Sequence, residues 1–184
     1  MQREVVLRAS AGDHDAFASL VTDAYGRLHR TAQLILRRED LASDAVQEAL
    51  TSAWLHIRAV RDPDRFDAWL NRLVVRACYQ ELRRAKRGPI QIQVDSIHGP
   101  RIDDSTSALA DRDQLERGFQ RLSVEHRAVL VVHHYLGLAD AEAAAVLEVP
   151  IGTYKSRLNR AHLSLRAALE ADARVAGIGQ ESIA

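Results

Sequence analysis

A chain of 184 residues, 47% of them hydrophobic, is long enough for one or two small domains with packed cores. Its 25 basic and 25 acidic side chains give a formal net charge of zero, so the distribution of charge along the chain is more informative than the total. The single cysteine, Cys78, excludes an internal disulfide and a multi-cysteine zinc site. No N-terminal apolar run is long enough for a signal peptide or a membrane span, and we therefore expect a cytoplasmic protein.

The first third of the chain has the pattern of packed helices. Alanine, leucine and arginine are frequent and β-branched residues are sparse, which favours an all-α fold. Residues 4–38 predict helices that are interrupted by a turn at Ala11, Gly12 and Asp13. Asp40 is a candidate cap for the next helix. The apolar side of that helix is predicted at Val46, Ala49, Leu50, Ala53 and Ile57.

The other side of this helix is polar. Four residues fall at i, i+3, i+4 and i+7 and therefore lie along one exposed line. We call them the acidic strip: Asp44, Gln47, Glu48 and Thr51. From periodicity alone, a solvated helix surface is the simpler interpretation, and a docking surface for another protein is the alternative.

Arginine is concentrated between residues 58 and 87, a segment that contains nine Lys or Arg residues and only four acidic residues. Residues 58–65, RAVRDPDR, predict a loop because they contain Asp-Pro-Asp and have no periodicity. A long helix follows. Its buried side is predicted at Phe66, Trp69, Leu70, Leu73 and Ala77.

A second face of the long helix carries an aromatic residue among arginines. We call it the basic stripe: Arg72, Arg76, Tyr79 and Arg83. Arginine binds phosphates through its charge, and an aromatic ring can stack on an unpaired base for about 1–3 kcal/mol. This combination suits a protein that separates DNA strands. A merely solvated arginine face is the alternative.

The second half of the chain begins with a linker. Residues 88–108 contain two Gly-Pro pairs and no helical stripe, so we predict an extended tether. Helices resume at Leu109, and Ser123 is a candidate cap for a helix that stops at Gly137. After Leu169 the chain has two glycines and no sustained stripe, which predicts a disordered or loosely attached tail.

Residues 137–166 predict a helix-turn-helix. Asp140 is a candidate cap for a short first helix, and a second, basic helix is predicted from Thr153. Its apolar stripe is Tyr154, Leu158, Ala161 and Leu165. Its outward residues include four Lys/Arg and no acid, a face that suits the DNA major groove. An ordinary surface hairpin with a basic face is the alternative.

Three segments resemble the extracytoplasmic-function (ECF) sigma factors of bacterial RNA polymerase. VLVVHHYLGLADAEAAAVLEVPIGTYKSRLNRAHLSLR is similar to their fourth conserved region. DLASDAVQEALTSAW and FDAWLNRLVVRACYQELRRAKR are similar to the second region, in the same order and at a similar separation. Glu148 departs from the family by standing where the turn glycine is usual, and a left-handed turn there costs a non-glycine residue about 1–2 kcal/mol.

The resemblance implies two small helical domains joined by an extended linker. Sigma region 2 is expected at residues 1–87 and the linker at 88–108. Sigma region 4, with the helix-turn-helix, is expected at 109–170, followed by a tail at 171–184.

The resemblance also implies roles for individual residues. Contact with the clamp helices of core polymerase is expected from Asp40, Asp44, Gln47 and Glu48. Recognition and melting of the minus-ten element is expected from Arg58, Arg61, Arg72, Arg76, Tyr79 and Arg83. Recognition of the minus-thirty-five element is expected from Thr153, Lys155, Ser156, Arg157, Asn159 and Arg160.

By the same resemblance the partners are core RNA polymerase, through its clamp helices and flap, promoter DNA and an anti-sigma factor. No cofactor and no catalysis are expected. The alternative function is a stand-alone helix-turn-helix regulator whose N-terminal helices sense a ligand or dimerise, although such a regulator needs neither the acidic strip nor the basic stripe. A helical metalloenzyme is a third class, suggested only by His126, His133 and His134, which lack a chelating spacing.

Overall fold

The computed structural model describes residues 2–85 and 106–181, with side-chain surroundings for residues 2–84 and 113–172. Within these ranges the chain forms eight α-helices, two 3₁₀ turns and one π-helical segment, and no strand. The all-α prediction is confirmed. Most of the predicted linker, residues 88–105, lies outside the described residues.

The first of two compact units contains helices α1 to α4. Their bounds are Gln2–Ser10, His14–Leu36, Glu39–His56 and Phe66–Ala85. The 3₁₀ turns Ile57–Ala59 and Pro63–Arg65 connect α3 to α4. Apolar faces of all four helices are buried in one core, whose largest fully buried members include Val6, Leu28, Ile35, Val46, Phe66, Leu70, Val74 and Val75.

Helix ends in this unit follow local chemistry. Asp13 caps α2, because its Oδ1 accepts a hydrogen bond from the backbone N–H of Ala16 at 3.0 Å. The prediction that Asp40 caps α3 is wrong. The helix begins at Glu39, so Asp40 lies inside its first turn and Arg38 occupies the cap position without a side-chain cap. Asp40 still favours the helix there, since a carboxylate in the first turn complements the helix dipole.

Both tryptophans belong to the first unit. Trp54 on α3 packs against His14 and Phe17 of α2, with ring centroids 4.5 and 5.0 Å apart. Trp69 on α4 lies 5.8 Å from the ring of Phe66.

The second unit contains α5 to α8. Their bounds are Thr106–Gln120, Val124–Leu130, Asp140–Val146 and Ile151–Glu181. The predicted cap Ser123 is confirmed, because its hydroxyl accepts the backbone N–H of His126 at 3.2 Å. The π-helical segment Val131–Tyr135 continues α6 and ends on a hydrogen bond from the Leu136 N–H to the Val131 carbonyl.

The helix-turn-helix differs from its prediction at the starts of both helices. Asp140 is the first residue of α7 and not its cap, because the helical hydrogen bonds begin at the Ala139 carbonyl. α8 begins at Ile151, two residues before Thr153, because the Pro150 carbonyl already accepts the Tyr154 N–H at 2.9 Å. Glu148 has a φ of 55°, so the chain turns there with a non-glycine residue in the left-handed region.

The tail was predicted to be disordered or loosely attached, and the first of these alternatives is wrong as far as Glu181, since α8 continues to that residue. Asp172 explains part of this extension. Its side chain is only 7% exposed and forms ion pairs with Arg117 at 3.3 Å and with Arg121, both close to the end of α5. A buried carboxylate requires such partners, and these two attach the distal part of α8 to α5.

Candidate polymerase and nucleic-acid interfaces

The acidic strip lies on the outer side of α3. Asp44, Gln47 and Thr51 are exposed, and Glu48 is half-buried. The opposite side of the helix is fully buried through its small residues Ala42, Ala45, Val46, Ala49 and Ala53. The two-sided pattern predicted for this helix is therefore present.

One member of the acidic strip, Glu48, is held by an arginine that sequence reasoning missed. Arg84, near the end of α4, donates from Nη1 to Glu48 Oε2 at 2.7 Å and also binds Glu81. The hydrogen bonds to Glu48 and Glu81 raise the pKa of Arg84. Together with Leu55, which is 68% exposed, these side chains line an open groove beside Asp44 and Gln47.

Asp40 lies one helical turn before Asp44 and has a partner of its own. Arg38 Nε donates to Asp40 Oδ1 at 3.1 Å, and this hydrogen bond is the main cause of the lowered pKa of Asp40. Asp40 is exposed and Arg38 is half-buried, so water competes for the pair and its contribution to stability is small.

The basic stripe divides into exposed and half-buried members. Arg76 and Arg83 are exposed, whereas Arg72 and Tyr79 are half-buried. The Arg72 Nε and the Tyr79 hydroxyl are buried atoms. The prediction treated the four side chains as one exposed face, but the structure turns two of them partly into the protein.

The 58–65 loop presents Arg58 and Arg61 to solvent. Its second half is ordered by Asp62, whose Oδ1 accepts the Asp64 N–H at 3.1 Å at the start of a 3₁₀ turn opened by Pro63. Farther along α4, Cys78 is fully buried, and burial raises the pKa of its thiol to about 12. Such a thiol stays protonated at neutral pH and is unsuited to nucleophilic chemistry.

In the second unit, α8 presents its predicted outward face to solvent. Tyr154 and Ala161 are fully buried, while Thr153, Lys155, Ser156, Asn159 and Arg160 are exposed and Arg157 is half-buried. The Ser156 hydroxyl donates to the Thr153 carbonyl at 3.0 Å, and Arg160 donates to the Ser156 carbonyl and hydroxyl, each at 3.3 Å. Arg160 therefore lies along the helix surface.

The positive charge of α8 is partly compensated, contrary to the expectation from residues 153–166, which contain no acidic side chain. Lys155 Nζ lies 3.6 Å from Asp140 Oδ2, and Arg166 Nε lies 3.5 Å from Glu170 Oε1. Asp140 comes from α7, so the sequence of α8 alone could not reveal it.

Histidines of the π-helical segment contact α8. His133 Nδ1 lies 3.2 Å from the Tyr154 hydroxyl, and His134 Nε2 lies 2.8 Å from His162 Nε2. Burial, followed by the neighbouring His133 and His162, lowers the pKa of His134. The part of the chain whose side chains are described holds no group of three residues suited to a metal ion.

Comparisons with known proteins agree on one family. The Sigma-70 region 2 model matches residues 20–88, and the Sigma-70 region 4 model matches residues 112–165. The ECF RNA polymerase sigma factor SigM of Mycobacterium tuberculosis is 35% identical over 88% of this chain and 81% of its own. This chain is an ECF sigma factor.

Other ECF sigma factors and solved structures extend the agreement. SigL of M. tuberculosis is 34% identical over 70% of the sigma factor described here and 75% of its own length. A solved complex of CnrH with the cytosolic domain of CnrY matches at a TM-score of 0.60 and 28% identity, covering 93% of this chain and 98% of CnrH. RpoE of Bartonella quintana has the same fold, with a TM-score of 0.68 at 24% identity over 85% of this chain and 98% of RpoE.

Family membership fixes the general function. The protein is an RNA polymerase sigma factor that directs promoter-specific initiation of transcription, and the stand-alone regulator is not favoured. Across the described ranges, no helix combines the length and apolar character that crossing a membrane requires.

Proposed function

We propose that this sigma factor uses three separate surfaces, one for binding core polymerase and two for binding promoter DNA. The acidic strip, with Asp40, docks on the clamp helices of core polymerase. The 58–65 loop and the basic stripe recognise and open the minus-ten element, and the outward face of α8 reads the minus-thirty-five element. Region 2 occupies residues 1–87, the linker residues 88–108 and region 4 residues 109–170.

The observation that carries this proposal is the two-sided character of α3. Its alanine-rich side is buried, and its other side holds exposed carboxylate and amide groups beside an exposed leucine. A protein-binding surface commonly combines an apolar contact with polar groups that fix its orientation. Arg84 supports the proposal because its ion pair holds Glu48 in place beside the groove.

The two DNA-binding surfaces differ in chemistry. Asn159 and Arg160 on α8 can make bidentate contacts to base edges, whereas Lys155 is a point charge suited to phosphate. On α4, exposed Arg76 and Arg83 suit phosphates, and the half-buried Tyr79 is the aromatic residue available to stack on an unpaired base.

The protein carries no catalysis of its own in this proposal and acts in the cytoplasm, where the polymerase is. Its regulation includes an anti-sigma factor. The solved relative CnrH is bound by the cytosolic domain of CnrY, and a protein partner of that kind suits the same exposed surfaces here.

Charge reversal in the acidic strip tests the proposal. Asp44→Lys should abolish or strongly weaken co-elution with core polymerase, because it places a positive charge where an acidic side chain is proposed to dock. The matched control is Asp23→Lys, which makes the same charge change at an exposed position of α2. Circular dichroism should show unchanged helix content in both variants. If Asp44→Lys binds core polymerase as tightly as Asp23→Lys, the strip is only a solvated helix surface.

A further inference from the structure

Helix α1 lies outside the segment that matches Sigma-70 region 2, which begins at residue 20. It is nevertheless part of the first unit's core. Val6 is 0% exposed and Ala9 is 1% exposed, so α1 is attached to the unit by buried apolar contacts and its position is fixed.

The start of α1 contacts the loop that precedes α4 and the first turn of α4 itself. Arg3 Nη1 lies 2.6 Å from Asp64 Oδ2 in the second 3₁₀ turn. Gln2 Nε2 donates to Asp67 Oδ2 at 3.0 Å. Two adjacent side chains of α1 therefore bind the two sides of this junction, one the loop and the other α4.

The end of α1 contacts the beginning of the same connection. The Ser10 hydroxyl lies 3.4 Å from the Ile57 carbonyl, and it donates to the Val6 carbonyl at 2.8 Å. At the following turn, Gly12 has a φ of 100°, and a Cβ there would lie 3.5 Å from Nη2 of Arg58. The loop arginine thus extends across the turn between α1 and α2.

That turn is itself constrained. Arg8 donates from Nε and Nη2 to Asp13 Oδ2, at 2.9 and 2.6 Å, while Asp13 Oδ1 caps α2. From α2, Arg27 donates to Asp67 Oδ1 at 2.7 Å and to the buried Asn71 at 2.8 Å. Asp67 is therefore held by α1 on one oxygen and by α2 on the other.

We infer that α1 is a positioning element for the 58–65 loop, and that Arg3 acts through Asp64 to keep Arg58 and Arg61 in place for the minus-ten DNA. This inference rests on the proposed function of the loop. Exposed ion pairs are weak individually, and the Arg3 and Asp64 side chains are 61% and 63% exposed. The effect is accordingly moderate and falls on promoter opening, since the variants leave the acidic strip intact.

A double-mutant cycle in reconstituted holoenzyme tests the inference. Arg3→Ala and Asp64→Ala should each lower the rate of promoter opening by about two- to fivefold, the range that an exposed ion pair allows. The double variant should be no slower than either single variant, because both remove the same contact. Arg3→Lys should restore most of the rate, since an ammonium group keeps the ion pair. Glu4→Ala is the control on α1 and should open promoters normally.

The outcomes distinguish failure of this inference from failure of the proposed role of the 58–65 loop. If Arg61→Ala impairs opening while Arg3→Ala and Asp64→Ala leave the rate unchanged, α1 does not position the loop and the loop keeps its proposed role. If Arg61→Ala also leaves the rate of promoter opening unchanged, the loop does not have its proposed role, and the inference about α1 fails with it. Additive losses in the double variant would also overturn the inference, as would failure of Arg3→Lys to recover activity.

Discussion

Glu148 adopts a backbone conformation that is sterically unfavourable for a residue with a Cβ atom. Its φ of 55° places a Cβ-bearing residue in the left-handed region, in the turn between the two helices of the helix-turn-helix. Glycine adopts this conformation without steric cost.

We therefore expect Glu148→Gly to raise the free energy of unfolding of region 4 by about 1 kcal/mol. Scanning calorimetry of the full chain measures the change. Glu148→Ala is the matched variant, because it removes the carboxylate and keeps the Cβ, and it should gain little. Equal stabilisation by alanine and glycine would assign the effect to the charge and not to the backbone.

His134 is one residue of region 4 whose ionisation links stability to pH. Burial and the two neighbouring histidines lower its pKa below the ordinary value of 6.5, so the folded state disfavours its protonation. At acidic pH the unfolded chain then binds more protons than the folded chain. The stabilisation associated with neutral His134 is complete above the ordinary value and is lost as the pH falls through the lowered pKa.

We expect the melting temperature of region 4 to fall between about pH 7 and pH 5, and His134→Gln to flatten that dependence. His162→Gln should flatten it in part, since it removes one cause of the lowered pKa and leaves the burial. Calorimetry across the pH series provides the measurement. An unchanged slope in His134→Gln would show that other groups dominate acid sensitivity.

At the scale of elements, two glycines within helices offer a contrast. Gly26 lies in the middle of α2, and a Cβ there would meet nothing within 4 Å. Gly118 lies in α5, and a Cβ there would lie 2.9 Å from Leu169 Cδ2 and 3.1 Å from Leu165 Cδ1 of α8. The first glycine is unconstrained by packing, whereas the second permits two helices to approach closely.

Gly26→Ala should stabilise region 2 by about 0.5–1 kcal/mol, because alanine has the higher helix propensity and fills open space. Gly118→Ala should give region 4 a smaller gain or none, since the same propensity is offset by displacement of the two leucines. Thermal unfolding followed by circular dichroism compares the two variants. A larger gain at Gly118 than at Gly26 would contradict this account of the packing.

Local periodicity was sufficient to predict most helices and the outward faces of α3 and α8, because side chains on one helix share a face at fixed spacing. Cap assignments were less accurate. Asp40 and Asp140 are both good cap residues, yet α3 begins two residues, and α7 one residue, earlier than a cap at that position would require. Several residue types favour the first turn as well as the cap, so composition alone does not separate the two positions.

At the scale of the whole molecule, contacts between distant segments account for what the sequence did not reveal. Arg84 and Glu48 are 36 residues apart, and Arg117 and Asp172 are 55 residues apart. No periodicity joins such pairs, which depend on how the helices pack against each other. The same limitation applies to Tyr79, whose place in an arginine-rich stripe did not indicate that its hydroxyl is buried.

The placement of the two tryptophans has a practical consequence for experiments on this protein. Trp54 and Trp69 both lie in the first unit, and the sequence contains no third tryptophan. Intrinsic fluorescence excited at the red edge of indole absorption therefore reports on region 2, whereas the heat absorbed on unfolding reports on the whole chain. Trp54 follows the acidic strip by one helical turn, so its emission provides a test of the proposed polymerase docking that requires no attached dye.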